Sequence, residues 1–333
     1  METLMTALRW GIGVGVVLWL GMLVLDWVGP SEPVALSAPA PDLPPLAELE
    51  GWLAAREAAV PDLRADAAKQ IVWAGAPGRR TDWAVVYLHG FSASRAEIRP
   101  VPDNVADALG ANLYFARLSG HGRDGAAMAE ASVADWAADT AEALAIGRAL
   151  GDRVLVIGTS TGGTLAAAVA HDPAMSAAVA GVVLVSPNFR VAGWPGRLIE
   201  WPGVRIWGPM LAGPERGFEP RSPDHARYWT TRYPTAALAP LGALTRAVRA
   251  LQAETARVPA LFVVSERDRI IDGDAALRQA ARWGRDSGVS ADLMSVTVQP
   301  GDDSAGHVLA GDILSPGGTG PLVTRIVGWA AGL

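Results

Sequence analysis

Four short apolar runs limit what this chain can fold into more than any other feature. They are WAVVYLHG (83–90), VLVIGTS (154–160), GVVLVSP (181–187) and ALFVVSERD (260–268). Each has the length of a strand and is rich in β-branched residues, yet none alternates apolar with polar as a strand with one wet face does. A strand that is apolar on both sides is buried on both sides, the habit of a parallel sheet lying between two helical layers. Helical stretches separate the runs. The clearest is 132–150, where Ser132 and Asp135 stand at capping-pair spacing. Another is 161–171, closed by Asp172-Pro173. QIVWAG (70–75), ANLYFARLSGHG (111–122) and SADLMSVTVQPG (290–301) read as further strands, and 323–333 as a last helix. The alternation predicts an α/β fold: a mostly parallel sheet with helices on both faces.

With 333 residues, half of them hydrophobic, the chain can bury a large core. Net charge is −6 with no basic block, which excludes a nucleic-acid footprint. Cysteine is absent, so disulfides, thiolate metal sites and a cysteine nucleophile are excluded together. No two of the five histidines stand at metal-ligand spacing. GTSTGG (158–163) lacks the G-K-[S/T] ending of a phosphate loop. Neither a metal nor a cofactor is called for.

The N-terminus carries a run of its own, WGIGVGVVLWLGMLVL (10–25), between Arg9 and Asp26. Its length lies between the apolar core of a signal peptide and the roughly 20 residues of a membrane span. Counting Trp27 and Val28, with Asp26 reaching toward the interface, residues 1–28 are expected to be a retained transmembrane helix. Secretion after cleavage near Ala35–Ser37 is the alternative. Arg9 and the free amino terminus favour the N-terminus inside, which would put the remainder outside the cytoplasm, in the periplasm or beyond. Residues 29–45 are rich in proline and alanine and read as an extended spacer. The folded domain is expected over 46–333. The interval of about 188–258 breaks the strand–helix rhythm and is too long for a simple connection. It reads as an inserted cap. Its aromatics, among them Phe189, Trp194, Trp201, Trp207, Phe218, Tyr228, Trp229 and Tyr233, either line an apolar pocket or hold the insertion together.

The chemistry centres on Gly158-Thr159-Ser160-Thr161-Gly162, which fits G-x-S-x-G in the context that motif requires, a strand before and a helix after. The turn lifts the serine hydroxyl above the strand ends, where open α/β sheets bind ligands. The helix N-terminus that follows supplies free N–H groups, with that of Thr161 placed to meet an oxyanion. A serine is a weak nucleophile without a base. Of the histidines, His307 alone comes late, on a loop after the last strand, where it can fold back over Ser160. The base needs an acid to fix its tautomer. Asp268 stands between Ser160 and His307 in chain order, with Asp272, Asp274, Asp302, Asp303 and Glu266 as rivals. A second oxyanion donor is expected from the loop after WAVVYLHG, where Gly90 permits close approach and the Phe91 N–H points into the site. His89 would hold that loop by a hydrogen bond.

LHGF, RLSGHG, GTSTGG, SERD and GHVL, in that order, make the chain similar to the α/β-hydrolases, in particular bacterial carboxylesterases and monoacylglycerol-lipase-like members. The resemblance covers residues 83–333 apart from the cap. It implies the α/β-hydrolase fold, Ser160 as nucleophile, Asp268 and His307 completing a triad, and an oxyanion hole from the Phe91 and Thr161 amides. The expected substrate is a small acyl ester, of apolar acyl chain if the cap aromatics form a pocket. Thr159 stands where many esterases have histidine, and the cap matches no known lid. The same triad would serve amides or thioesters. From another class stands a membrane-tethered binding protein on a hydrolase fold, against which the presence of all three triad candidates counts.

Overall fold

The apolar runs pair side by side in one seven-stranded sheet. A computed structural model describes the backbone of residues 2–333, and the side chains of all of these except 2–4, 6–8, 18–19, 22 and 25–28. The strands are β1 (Gln70–Val72), β2 (Thr81–Leu88), β3 (Asn112–Phe115), β4 (Gly151–Thr159), β5 (Val179–Val185), β8 (Ala260–Val264) and β9 (Ala291–Ser295), in the order β1-β3-β2-β4-β5-β8-β9. Only β1 runs antiparallel to its neighbour. β6 (Glu215–Gly217) and β7 (Arg232–Pro234) form a separate antiparallel pair within the 188–258 interval.

The two-sided burial inferred for WAVVYLHG is visible residue by residue. Ala84, Val86 and Leu88 enter one core, and Val85 and Tyr87 the other, all five with no exposed surface. The first core also holds residues of α2 (Leu49–Ala58), α4 (Val133–Leu150), α5 (Thr161–Val169), α9 (Leu238–Ala250) and α10 (Gly273–Ala280). The second is closed by α3 (Val101–Leu109) and α11 (Pro316–Ala330), which pack on each other as well as on the sheet. Each such valine or leucine contributes about 1.5–3 kcal/mol on removal from water. A polar residue on either face of β2 would therefore cost one core or the other.

Local signals set several boundaries. Ser132 caps α4, its hydroxyl accepting the Asp135 N–H while the Asp135 carboxylate accepts the Ser132 N–H. ALFVVSERD stays a strand only to Val264. There the Ser265 hydroxyl accepts the Arg267 N–H and its carbonyl the Asp268 N–H, a local turn that competes with the ladder. The last helix starts at Pro316, ahead of the expected 323. Proline at its first position forfeits only an N–H that has no intrahelical acceptor. Between β5 and β8 lie α6 (Gly193–Leu198), α7 (Val204–Ala212), α8 (Pro223–Tyr228) and α9.

The expectation of a transmembrane anchor is overturned. α1 (Glu2–Val28) is helical, but among the described residues no helix is long and apolar enough to cross a membrane. The uninterrupted run from Trp10 to Leu25 rises about 24 Å as a helix, short of a hydrocarbon core of about 30 Å. The side chains of Asp26, Trp27 and Val28, invoked at the interface, lie outside the described ones. Placement of the domain outside the cytoplasm rested on that anchor and falls with it. The Pro/Ala-rich segment after α1 touches the domain: the Gly203 N–H donates to the Pro30 carbonyl at 2.6 Å, and Glu32 pairs with Arg205 on α7.

Candidate active site

Ser160 occupies the hinge between β4 and α5, with φ 51° and ψ −112°, and is nearly buried. That backbone is strained for a residue with a Cβ. It is held because the Ser160 N–H donates to the Val185 carbonyl at 2.9 Å, and the Ser160 carbonyl receives the N–H groups of Thr164 and Asn188 at 3.0 and 3.2 Å. Close packing of strand, turn and helix requires the two motif glycines. A Cβ on Gly158 would lie 2.3 Å from the Gly162 carbonyl oxygen, and one on Gly162 would lie 2.0 Å from the Leu88 carbonyl oxygen. Thr161 opens α5, fully buried, and at that position its N–H has no intrahelical acceptor.

His307 and Asp268 meet. The imidazole Nδ1 is 2.8 Å from Asp268 Oδ2, across 39 residues of chain. The other carboxylate oxygen of Asp268 receives the N–H groups of Ile270 and Ile271 at 2.8 and 3.1 Å, which aims the group at the ring. Burial alone would lower the His307 pKa, but the Asp268 carboxylate, with help from Glu97 and Asp303, carries it above the ordinary histidine value. The histidine loop is drawn toward Ser160 by the end of β5. The Ser186 hydroxyl donates to the His307 carbonyl at 2.8 Å, one residue beyond the Val185 carbonyl that fixes Ser160. Among the rival acids, Asp272 caps α10 through the Ala275 N–H, and Asp302 receives the N–H groups of Gln299 and Gly317. Asp274 belongs to the first turn of α10, and Glu266 is exposed. Asp303 supports the loop rather than the ring. Its Oδ2 receives the N–H groups of His307 and Val308, each at 3.0 Å.

The loop after β2 stands across from the serine. Leu118 N–H donates to His89 Nε2 at 3.1 Å, which leaves the proton on Nδ1, 2.8 Å from the Gly90 carbonyl. Burial keeps that ring neutral, with its pKa down to about 4. The bond fixes the peptide unit joining Gly90 to Phe91. In a trans peptide the N–H opposes the C=O, so the Phe91 N–H is turned away from His89. A Cβ on Gly90 would lie 3.2 Å from Ser160 Cβ, so the loop passes directly beside Ser160. Two residues on, Ser92 has φ 64° and donates its N–H to His121 Nε2 at 3.0 Å. Ser92, Ser160 and Ser186 are three of the five non-glycine residues with positive φ among the described residues. Strain of this kind gathers where the backbone is shaped for a task.

Two contributors were not read from the sequence. Glu97 is buried beneath the Gly90 loop, its Oε2 receiving the Gly90 N–H at 2.7 Å and the Tyr87 hydroxyl at 2.8 Å. Burial pushes its carboxyl up to about 7, against the pull of those two donors and of His307. The second is the pair Arg221 and Thr230, within the stretch expected to be a cap, whose aromatics Phe218, Tyr228, Trp229 and Tyr233 the sequence did flag. Arg221 pairs with Asp303 at 2.8 Å, the Thr230 N–H donates to the Ser92 carbonyl at 2.7 Å, and the Tyr233 ring meets Phe91 edge-on at 5.2 Å. The other aromatics of the interval disperse. Phe189 stacks on Phe262 in the core, and Trp194 is 72% exposed.

Residues 85–312, more than half of the chain, match the family model described as the alpha/beta hydrolase family. Solved structures share the fold. One comes from a study of LipS and LipT, two metagenome-derived lipolytic enzymes; it is 18% identical, with a TM-score of 0.63 over 81% of this chain and 100% of its own. Another is a monoacylglycerol lipase from Paleococcus ferrophilus, 17% identical, with a TM-score of 0.55 over 79% and 98%. A third is a soluble variant of the monoglyceride lipase of Saccharomyces cerevisiae, 12% identical, with a TM-score of 0.57 over 79% and 90%. Among curated protein sequences, none matches.

Proposed function

Because the chain belongs to the alpha/beta hydrolase family, we propose that it is a serine hydrolase that cleaves carboxylic esters through an acyl-enzyme on Ser160. The observation that carries this reading is the 2.8 Å contact between His307 Nδ1 and Asp268 Oδ2, on a loop tied by Ser186 to the end of the strand whose Val185 carbonyl holds the Ser160 N–H. Asp268 holds the imidazole with its proton on Nδ1, so Nε2 is the basic nitrogen. Nε2 takes the Ser160 proton as Oγ attacks the acyl carbonyl. The N–H groups of Phe91 and Thr161 meet the oxyanion that forms, and their fixed positions require no reorganisation as charge develops. The intermediate collapses, His307 returns the proton to the leaving alcohol, and water repeats the sequence to release the acid.

Residues 188–258 act in this proposal as a cap over the strand ends. The case for an apolar acyl group rests on the edge-on ring contact of Phe91 with Tyr233, with Trp136 and His121 packed beneath Phe91 in the core. The related folds named above belong to lipolytic enzymes and monoacylglycerol lipases, whose substrates are of the same kind. The test is hydrolysis of p-nitrophenyl esters from acetate to long chains, beside Ser160→Ala. Turnover lost in the variant, with an optimum at medium or long chains, is the expected result. A rate that falls steadily from acetate upward would refute the apolar acyl pocket, and absence of turnover together with no fluorophosphonate labelling of Ser160 would refute the hydrolase.

A further inference from the structure

Resting on the ester-hydrolase reading above, we infer that Glu97 is a positioning residue of this site: its carboxyl group sets the loop that carries the Phe91 N–H, and its charge acts on the His307 imidazole. The residue lies between β2 and α3, 3% exposed, in a stretch with no other buried acid. Its Oε2 receives the Gly90 N–H at 2.7 Å and the Tyr87 hydroxyl at 2.8 Å. The Tyr87 oxygen is also 3.2 Å from Thr159 Oγ1. A phenol has one proton, so giving it to Glu97 leaves Tyr87 to accept from Thr159. The chain of donors therefore has one direction, Thr159 to Tyr87 to Glu97, with Gly90 joining from the other side. One carboxyl group thus ties the residue before Phe91 to the residue before Ser160.

The second oxygen of Glu97 lies next to Gly90, as Ser160 does. A Cβ placed on Gly90 would lie 2.5 Å from Oε1 and 3.2 Å from Ser160 Cβ, so the carboxyl edge and the nucleophile flank the same point. A buried acid is costly to keep unless it is hydrogen-bonded, and an apolar residue would fill the space without that cost. What the acid adds is an acceptor for the Gly90 N–H and a charge. The Gly90 N–H and the His89 bond to the Gly90 carbonyl hold the two peptide units that flank Gly90. Together they leave the Phe91 N–H no freedom to turn. The charged and titratable groups around His307 are Asp268, Glu97 and Asp303, with Arg221 paired to Asp303. Those around Glu97 are Tyr87 and His307. An ionised Glu97 stabilises the imidazolium, so its charge holds the base protonated to higher pH.

Two substitutions separate the roles. Glu97→Gln keeps an acceptor oxygen for Gly90 and Tyr87 and removes the charge, whereas Glu97→Ala removes both. Glu97→Ala is expected to lower kcat on p-nitrophenyl butyrate by about tenfold or more with KM little changed, since the loss falls on the oxyanion. Glu97→Gln is expected to recover most of kcat and to move the acid limb of the kcat/KM profile to lower pH. A residue that merely filled space would lower thermal stability and leave that limb in place. If Glu97→Ala does not fold, the profile of Glu97→Gln decides alone. An unmoved acid limb in Glu97→Gln, or wild-type kcat in Glu97→Ala, overturns the inference. Failure of the hydrolase reading shows elsewhere, as turnover that survives Ser160→Ala or as a wild-type protein that fluorophosphonate does not label, both with Glu97 intact.

Discussion

Replacing Gly162 by alanine is the sharpest test of how the Ser160 turn is built. The added Cβ would lie 2.0 Å from the Leu88 carbonyl oxygen, 2.5 Å from its carbonyl carbon and 2.8 Å from the His89 carbonyl oxygen. All three are backbone atoms, so no flexible side chain can yield. Ordinary contact begins near 3.4 Å, and α5 must therefore withdraw from the end of β2 by about 1.4 Å, or the strand end must bend as far. Overpacking of this kind costs about 1–3 kcal/mol, a fall of several degrees in Tm. The larger effect is on rate, because the first turn of α5 carries both the Ser160 hydroxyl and the Thr161 N–H. A displacement of about 1 Å at a reacting group costs on the order of 10²-fold in kcat. The assay is kcat and KM on p-nitrophenyl butyrate, the rate of fluorophosphonate labelling and a thermal melt. Gly328→Ala serves as the control. Gly328 lies inside α11 with nothing within 4 Å of an added Cβ, and alanine there should stabilise the helix by up to about 1 kcal/mol. If Gly162→Ala keeps its kcat within about threefold and melts with the wild type, the close-approach reasoning is wrong.

Asp268→Asn should lower kcat by about 10⁴-fold with an almost unchanged Tm, because an amide still accepts the Ile270 and Ile271 N–H groups yet no longer holds the active tautomer of His307; a loss of less than tenfold would move the acid role to another residue. The raised His307 pKa makes activity and stability run in opposite directions with pH. Activity should rise as pH climbs through the folded value, above the ordinary 6.5. The stability that His307 adds is full below 6.5 and is lost over that same rise. Titration of kcat/KM beside chemical denaturation at each pH checks both, and a Tm that does not fall with the histidine's deprotonation counts against the pairing. Arg221→Ala leaves the buried Asp303 carboxylate with only its loop N–H donors, so stability should fall by about 1–3 kcal/mol and kcat should fall with it; wild-type kcat would show that the histidine loop does not need that contact.

The sheet was legible because burial on both faces writes itself into sequence as unbroken apolar runs, and WAVVYLHG and VLVIGTS became adjacent strands with Leu88 opposite Gly158. Ser160 was legible because a turn that tight leaves glycine at both flanks. Glu97 was not. A single glutamate in SASRAEIR reads as a solvated loop, and its burial comes from Gly90 and Tyr87, neither of which marks it in the chain. Asp303 stood only as a rival acid; besides Arg221, its partners are backbone N–H groups of its own loop, which no side-chain pattern advertises. The N-terminal run was overread because Asp26, Trp27 and Val28 were counted to lengthen an apolar run that by itself is too short to span. The docking of Pro30 on Gly203 left no trace at all, since the acceptor is a carbonyl that every residue has.

The stretch from Phe218 to Tyr233 braces two loops at once, the one before α3 through Ser92 and Phe91, and the one before α11 through Asp303. If the proposed cap admits the ester, the substrate is screened by the same atoms that hold the Gly90 and His307 loops. Selectivity and speed are then not separate dials. A variant library aimed at a new ester and confined to this stretch would find that every gain in accommodation arrives with a change in turnover, and the productive substitutions would be those that spare Arg221, Thr230 and Tyr233.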